Sequence, residues 1–408
     1  MMEEAVLPFR WRWPVYLLAA FPIVDYFLGI YPWGIIGHEW DKILFILFAF
    51  YAMRSYMVHG RKTVYPTYRY IIFLAVLGLG YIVMDVGYLT VAVAGYQVDF
   101  MYMLLALTLP YVVAKEDIVP LLKFVVLTGF LMGIHGVYEY VIKAPVPAQW
   151  IPIGQHERTR VYSLFGSPNI FGSYAAFITP LAISFAVYEK ERAQKIFYAL
   201  AALITTATTV FTFTRGAWVG LVVGILIVTW MIDKRWTFVA IGVTVLAVLF
   251  VHPIQVRIEQ FLSPVYWWQT INNGRIARWI HAYDRMVANP FFGAGLGRYG
   301  GAIASRYFGI TYVDGYYAKT LGELGLVGLF AFVALLFVYL RDVWRVWKKT
   351  VDPQMKILIA GVFSALIVLV VHDAVENVFE DSAMNMLFWL VGTLVLIYGD
   401  SQEVKRRV

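Results

Sequence analysis

Arginine is the residue that first points to chemistry in this chain. Between His252 and Lys319 lie Arg257, Arg275, Arg278, Arg285, Arg298 and Arg306, in a segment flanked on both sides by long apolar runs. A guanidinium stays charged at any physiological pH and presents a planar fork of donors that grips two phosphate oxygens at once. Six of them in one connection call for an anionic ligand. The candidate is a diphosphate at a membrane surface.

Other residues could serve the same chemistry. In TTATTVFTFTRGAWVGLVVG, Arg215 sits between two apolar runs joined by almost no loop. A charge at that depth either snorkels to the interface or faces a ligand; Thr212, Thr214 and the tight turn favour the second. In HERTRVYSLFGSPNIFGS, Arg158 and Arg160 precede Ser167-Pro168-Asn169, which reads as a capped helix start that suits an anion. Asp314, beside Gly315, is either a turn residue or a base that accepts a proton from an attacking hydroxyl. Glu323 follows two helical turns later, as a second base or as a structural partner for an arginine. Asp373, Glu376, Glu380 and Asp381 read as charges that offset the basic cluster. His372 with Asp373 is too little for a metal site, and none is predicted.

These residues need a scaffold, and the composition says which kind. Hydrophobic residues make up 61% of the chain and charged residues 14%, against about a quarter in soluble domains. Apolar runs of about 20 residues recur, each long enough to cross a bilayer core. Lipid forces each backbone amide to find its partner within its own segment, so the runs are read as helices. The chain is therefore expected to be an all-α integral membrane protein of about 12 transmembrane helices, forming one transmembrane domain over residues 1–408. The spans are predicted near 14–32, 40–58, 69–88, 97–114, 118–141, 168–188, 194–212, 215–232, 236–252, 319–340, 354–372 and 382–399. Residues 1–12 lack a small-residue cleavage site, so the first apolar run is read as a span. With no cysteine, disulfides, thiolate nucleophiles and Cys-bound metals are excluded.

Charge sets the orientation. Arg10, Arg12, Arg54, Arg61, Lys62, Arg69, Lys115, Lys123, Lys190, Arg192, Lys195, Lys234 and Arg235 fall in one set of loops. Arg341, Arg345, Lys348, Lys349, Lys356 and Lys405–Arg407 continue it, while loops 33–41, 89–96 and 373–381 have no Lys or Arg. The positive-inside rule puts the first set and both termini in the cytoplasm. It also accounts for most of the formal charge of +7, so no nucleic acid is implied. Residues 142–167 and 253–318 are the two basic connections on the opposite, extracytoplasmic side. Within the second, Ile276, Trp279, Ile280 and Tyr283 recur at helical spacing, predicting an amphipathic helix at the interface. No internal repeat of the kind found in many transporters is visible.

Three strings together carry a resemblance: FTFTRGAW after the seventh predicted span, NGRIARWIHAYDRMVANPFFGAGLGRYGG in the long loop, and ELGLVGL at re-entry. In the second, Arg275 is followed by Trp279, then an Asn-Pro and a glycine-rich bend. The glycine run is no nucleotide fingerprint, because no strand precedes it. Over residues 155–395 the chain resembles the O-antigen polymerase and O-antigen ligase superfamily, GT-C-type glycosyltransferases that act on polyprenyl-diphosphate-linked glycans. The resemblance implies a bacterial inner-membrane enzyme with an active site facing outward, built partly from the 253–318 loop. It implies a polyprenyl-diphosphate-linked glycan donor, a glycan or lipid-linked acceptor, membrane lipids and a chain-length regulator as partners, and no cofactor. It gives Arg215 and Arg275 the diphosphate, with Arg160 and Arg278 beside them and Arg158 and Arg298 as secondary candidates. Ligases of the family carry a His-Asn pair where this chain has Asp314-Gly315. That difference favours a polymerase over a ligase and makes Asp314 the expected base, with Glu323 as reserve.

The expected chemistry is coherent. Negative charge grows on the departing diphosphate as the anomeric bond breaks, and fixed arginines there stabilise the transition state more than the ground state. In-line attack would invert the anomeric centre, and arginine would take the place of a divalent cation. A flippase or transporter would instead carry charges near mid-span, and a non-catalytic scaffold would have no use for the basic loop.

Overall fold

The computed structural model describes residues 12–30, 35–60, 63–146 and 159–407. Arg10, Arg61, Lys62 and Arg158 lie outside the described residues. The described chain is helical with no strands, an all-α membrane protein. Helix α1 (Pro14–Ala19), α2 (Phe21–Ile30), α3 (Ile35–His59), α4 (Thr67–Met84), α5 (Leu89–Val112) and α6 (Ile118–Val141) form the first half. Next come α7 (Pro168–Tyr188), α8 (Arg192–Phe211), α9 (Arg215–Ile232) and α10 (Lys234–Phe250). The long connection folds into α11 (His252–Leu262), α12 (Pro264–Asn272), α13 (Arg275–Ala288) and α14 (Ala302–Phe308). Helices α15 (Tyr316–Lys349), α16 (Pro353–His372) and α17 (Ser382–Arg407) close the bundle.

Among the described residues, ten helices are long and apolar enough to cross a membrane, or eleven if α10 and α11 count as one bent span. The count falls short of twelve at two places. The first apolar run divides at Ala20, whose backbone leaves the helix just before Phe21-Pro22 starts a new one. Proline fits a first helical turn but cannot continue the preceding ladder. The ninth run ends at Val251, extended in backbone, and Pro253 opens α11 at 80° to α10. Two further boundaries moved: α5 begins at Leu89, inside a stretch expected to be loop, and α15 runs on to Lys349.

Helices α7 and α17 are the interior of the bundle. Helix α7 packs on α8, α9 and α16, and α17 packs on α5 and α16. Small residues let these backbones approach closely. Gly216, Gly220 and Gly224 recur every fourth residue on α9 and face His372 and Val368 of α16, where an added Cβ would come within 2.6, 3.1 and 2.5 Å of the neighbouring helix. Helices α3 and α10 lie outermost, with Phe50, Met53, Met57, Phe238 and Phe250 exposed, as lipid-facing surfaces are. The α9–α16 seam ends beside Arg215, so this close packing fixes where that residue stands.

Candidate functional site

Four arginines from three separate stretches of chain meet at one end of the bundle. Arg160, Arg215, Arg257 and Arg275 line a cavity of about 520 Å³ together with Asn169, Tyr266, Gln269, His372 and Glu376. Each is held by local structure. Glu139, near the end of α6, accepts backbone N–H groups of Tyr162 (2.9 Å) and Ser163 (2.9 Å), which fixes the chain just after Arg160. The Arg160 guanidinium donates to the Thr212 carbonyl (3.0 Å), Asn169 Oδ1 (2.9 Å) and Thr214 Oγ1 (3.2 Å). Burial lowers its pKa to about 10, with Glu376 opposing the fall and Arg215 adding to it. It therefore remains a cation at neutral pH.

Arg215 is the first residue of α9. The turn before it is tight: Phe213 takes a left-handed backbone, and Trp218 Nε1 ties back to the Thr209 carbonyl at 3.0 Å. That geometry aims the guanidinium at the α11–α12 hairpin, where it lies 4.4 Å from the Tyr266 ring centre and 5.8 Å from that of Phe261. Its Nη1 is buried without a hydrogen-bond partner among the described residues, and so is Nε of Arg275. Buried donors of this strength are normally satisfied. Both residues line the cavity, and the Arg275 atom has the Asp314 carboxylate 4.0 Å away.

Asp314 stands beside this cavity, not in its lining. Its carboxylate pairs with Arg278 and lies 4.0 Å from Arg275 Nε, its carbonyl accepts from Trp279 Nε1 (3.2 Å), and its backbone is left-handed (φ 55°). Arg278 is spent on Asp314 and the Tyr312 carbonyl, away from the lining. Arg298 binds Asp85 at 3.1 Å and stacks on Tyr88 at 4.2 Å, anchoring the loop to the α4–α5 connection. Glu323 is fully buried: it accepts the Tyr299 N–H (3.2 Å) and pairs with Lys319, which also holds Asp99 and Glu380. That is a structural network built on a lysine, where the sequence suggested an arginine partner. Arg285 and Arg306 point elsewhere and are exposed. The amphipathic helix forms as α13, but it buries Ala282 and Met286 while Ile280 and Tyr283 stay exposed.

The acidic loop 373–381 turns out to be the hub of this end. Asp373 accepts the N–H groups of Val378 and Phe379, and its carbonyl accepts that of Tyr316. Asn377 accepts from Gly315 N (3.0 Å) and donates to the Gly300 carbonyl (3.0 Å), and Glu380 accepts from Ala302 N. Besides the charge that Glu380 offers Lys319, these residues pin the glycine-rich bend and the Asp314 turn to the bundle. Arg257, one of the six loop arginines, and Asn169, at the helix start that suits an anion, both reach the lining; His372 joins them with no signal in the sequence for that place. Among the described residues no group of three or more His, Asp or Glu side chains is arranged to hold a metal ion.

A helical membrane protein with an arginine-lined cavity at one end of its bundle is the class that fold and site define. Residues 200–333 match the family model for O-antigen ligase, which supports the O-antigen ligase and polymerase superfamily and that general type of function. The matched stretch runs from α8 into α15 and includes Arg215, Arg257, Arg275 and Asp314. Arg160, Asn169, His372 and Glu376 lie outside it. No match was found among curated proteins.

Proposed function

We propose that this protein is a polymerase of surface polysaccharide. In this reading it transfers glycan units from a polyprenyl-diphosphate-linked donor on the extracytoplasmic face of the bacterial inner membrane, and both of its termini are cytoplasmic. The convergence of Arg160, Arg215, Arg257 and Arg275 on one cavity carries the reading. A diphosphate bridging them would be held most tightly as its charge grows. Arg278 contributes through Asp314, which keeps the second turn of α13 against the loop and so sets the angle of Arg275. Residues 253–318 then form one wall of the active site. Attack from the face opposite the diphosphate inverts the anomeric carbon.

Incubating the purified protein with a synthetic polyprenyl-diphosphate oligosaccharide tests this. A ladder of products is expected; one transfer to a different lipid acceptor would make it a ligase, and no turnover of the donor would remove the reading. Activity is also expected to persist after exhaustive EDTA treatment, because arginine supplies the charge that faces the diphosphate. Loss that magnesium or manganese restores would mean that a cation shares the task.

A further inference from the structure

The cavity contains one carboxylate whose charge is not already committed to a neighbour. Glu376 lines it, while Asp314 does not. Among the described residues Glu376 has no ion-pair partner within 4.0 Å, whereas Asp314 has Arg278 and Arg275. Its orientation is set by a relay. Arg160 and Thr214 donate to Asn169 Oδ1, so the amide must turn Nδ2 towards Glu376, whose Oε2 accepts at 2.6 Å. The relay ties the carboxylate to the cation that faces the proposed diphosphate. Its backbone carbonyl also receives the Tyr316 N–H at 3.2 Å, which fixes the loop beside α15.

We propose that Glu376 is the base that takes the proton from the acceptor hydroxyl, with Asp314 acting as a positioning residue for Arg275 and Arg278. This rests on the transfer reaction proposed above. The acceptor oxygen bonds to the anomeric carbon as the bond from that carbon to the diphosphate oxygen breaks. The leaving electron pair stays on the diphosphate, among the arginines. The hydroxyl proton passes to the Glu376 carboxylate, which becomes a carboxylic acid and later loses the proton to water. Removal from water raises the Glu376 pKa to about 7, Asp314 adding to the rise and Arg275 opposing it. A base that titrates there is stronger than an ordinary carboxylate yet still ionised in a large fraction of molecules at neutral pH. The charged and titratable groups around it are Arg160, Arg275, Asp314, Asp373, Tyr312 and His372.

The test uses the full-length protein, the synthetic donor and separate measurements of donor binding and turnover. Glu376→Gln should lower kcat by about 10²–10⁴-fold while donor affinity stays within a few-fold. In the unaltered protein kcat/KM should rise with pH through a midpoint near 7, since only the ionised carboxylate accepts the proton. Glu376→Gln should abolish that rise. Asp314→Asn should weaken donor binding and keep the rise, with its midpoint moved to lower pH because a charge that raises the Glu376 pKa is gone. Near-normal turnover in Glu376→Gln overturns the proposal, as does loss of the pH dependence in Asp314→Asn. A profile flat between about pH 5.5 and 8.5 in the unaltered protein overturns it even if the glutamine variant misfolds. An unaltered protein that neither binds nor consumes the donor fails at the earlier step and refutes the transfer reading itself.

Discussion

Arg215→Ala is expected to reduce glycan transfer by about 10³-fold, leaving folding and membrane insertion intact. The magnitude reflects what one preorganised donor contributes at a developing anion, about 10²–10³-fold, and a full charge in a site shielded from water contributes at the upper end or beyond. The structure explains why folding should be spared. Arg215 has no carboxylate partner within ion-pair distance among the described residues, and its contacts are the faces of Tyr266 and Phe261. Removing it strands no buried acid. Arg215→Lys should recover little, because an ammonium brings charge but not the planar fork. Arg275→Ala should fall almost as far, with an added loss from freeing Asp314. Rates with a polyprenyl-diphosphate oligosaccharide, set beside a melting curve for each variant, decide the matter. Turnover of Arg215→Ala within about threefold of the parent would take the residue out of the site.

That result turns on residues whose types and spacing were visible in the chain. Arg215 sits at a turn so short that its depth could be read from the flanking apolar runs. Asn169 sits at a helix start that reads as one from Ser167-Pro168, and Arg160 lies in the short stretch before it. What could not be read was pairing across long separations. Arg298 and Arg275 look alike in the loop, yet one meets Asp85, 213 residues away in sequence, and the other opens onto the cavity. Glu323 and Glu376 are both glutamates near span ends. Lys319 and the Tyr299 N–H claim the first, and Asn169, 207 residues distant, orients the second. Hydropathy gave most of the spans because burial in lipid is a property of each helix alone. It ran the first together because it averages over the backbone break at Ala20, whereas the ninth forms as α10 close to its expected bounds.

The same long-range logic explains why two glycine strings occur together, and it yields a prediction about stability. Helix α15 is interrupted at Gly325, whose φ of 64° and ψ of −162° belong to a region that residues with a Cβ avoid. The interruption exposes carbonyls and N–H groups that a continuous helix would consume, and NPFFGAG docks on them. Ala294 and Gly295 donate to the Gly322 and Glu323 carbonyls at 2.9 and 2.8 Å. Leu326 and Val327 donate to those of Pro290 and Phe291 at 2.8 and 3.2 Å. A Cβ on Gly325 would lie 2.6 Å from the Phe291 carbonyl carbon and 2.7 Å from Gly293 N, both backbone atoms that cannot swing aside. Gly325→Ala therefore combines backbone strain of about 1–3 kcal/mol with loss of several buried hydrogen bonds at about 0.5–1.5 kcal/mol each. A total near 4 kcal/mol belongs to the rare, diagnostic class of substitution. The expected result is a large drop in melting temperature, with transfer lost because the docked loop carries the bend between α13 and Asp314. Gly242→Ala in α10, where an added Cβ meets nothing within 4 Å, is the matched control and should leave stability unchanged or slightly raised. Equal, small shifts for the two variants would mean that the hook does not hold the loop.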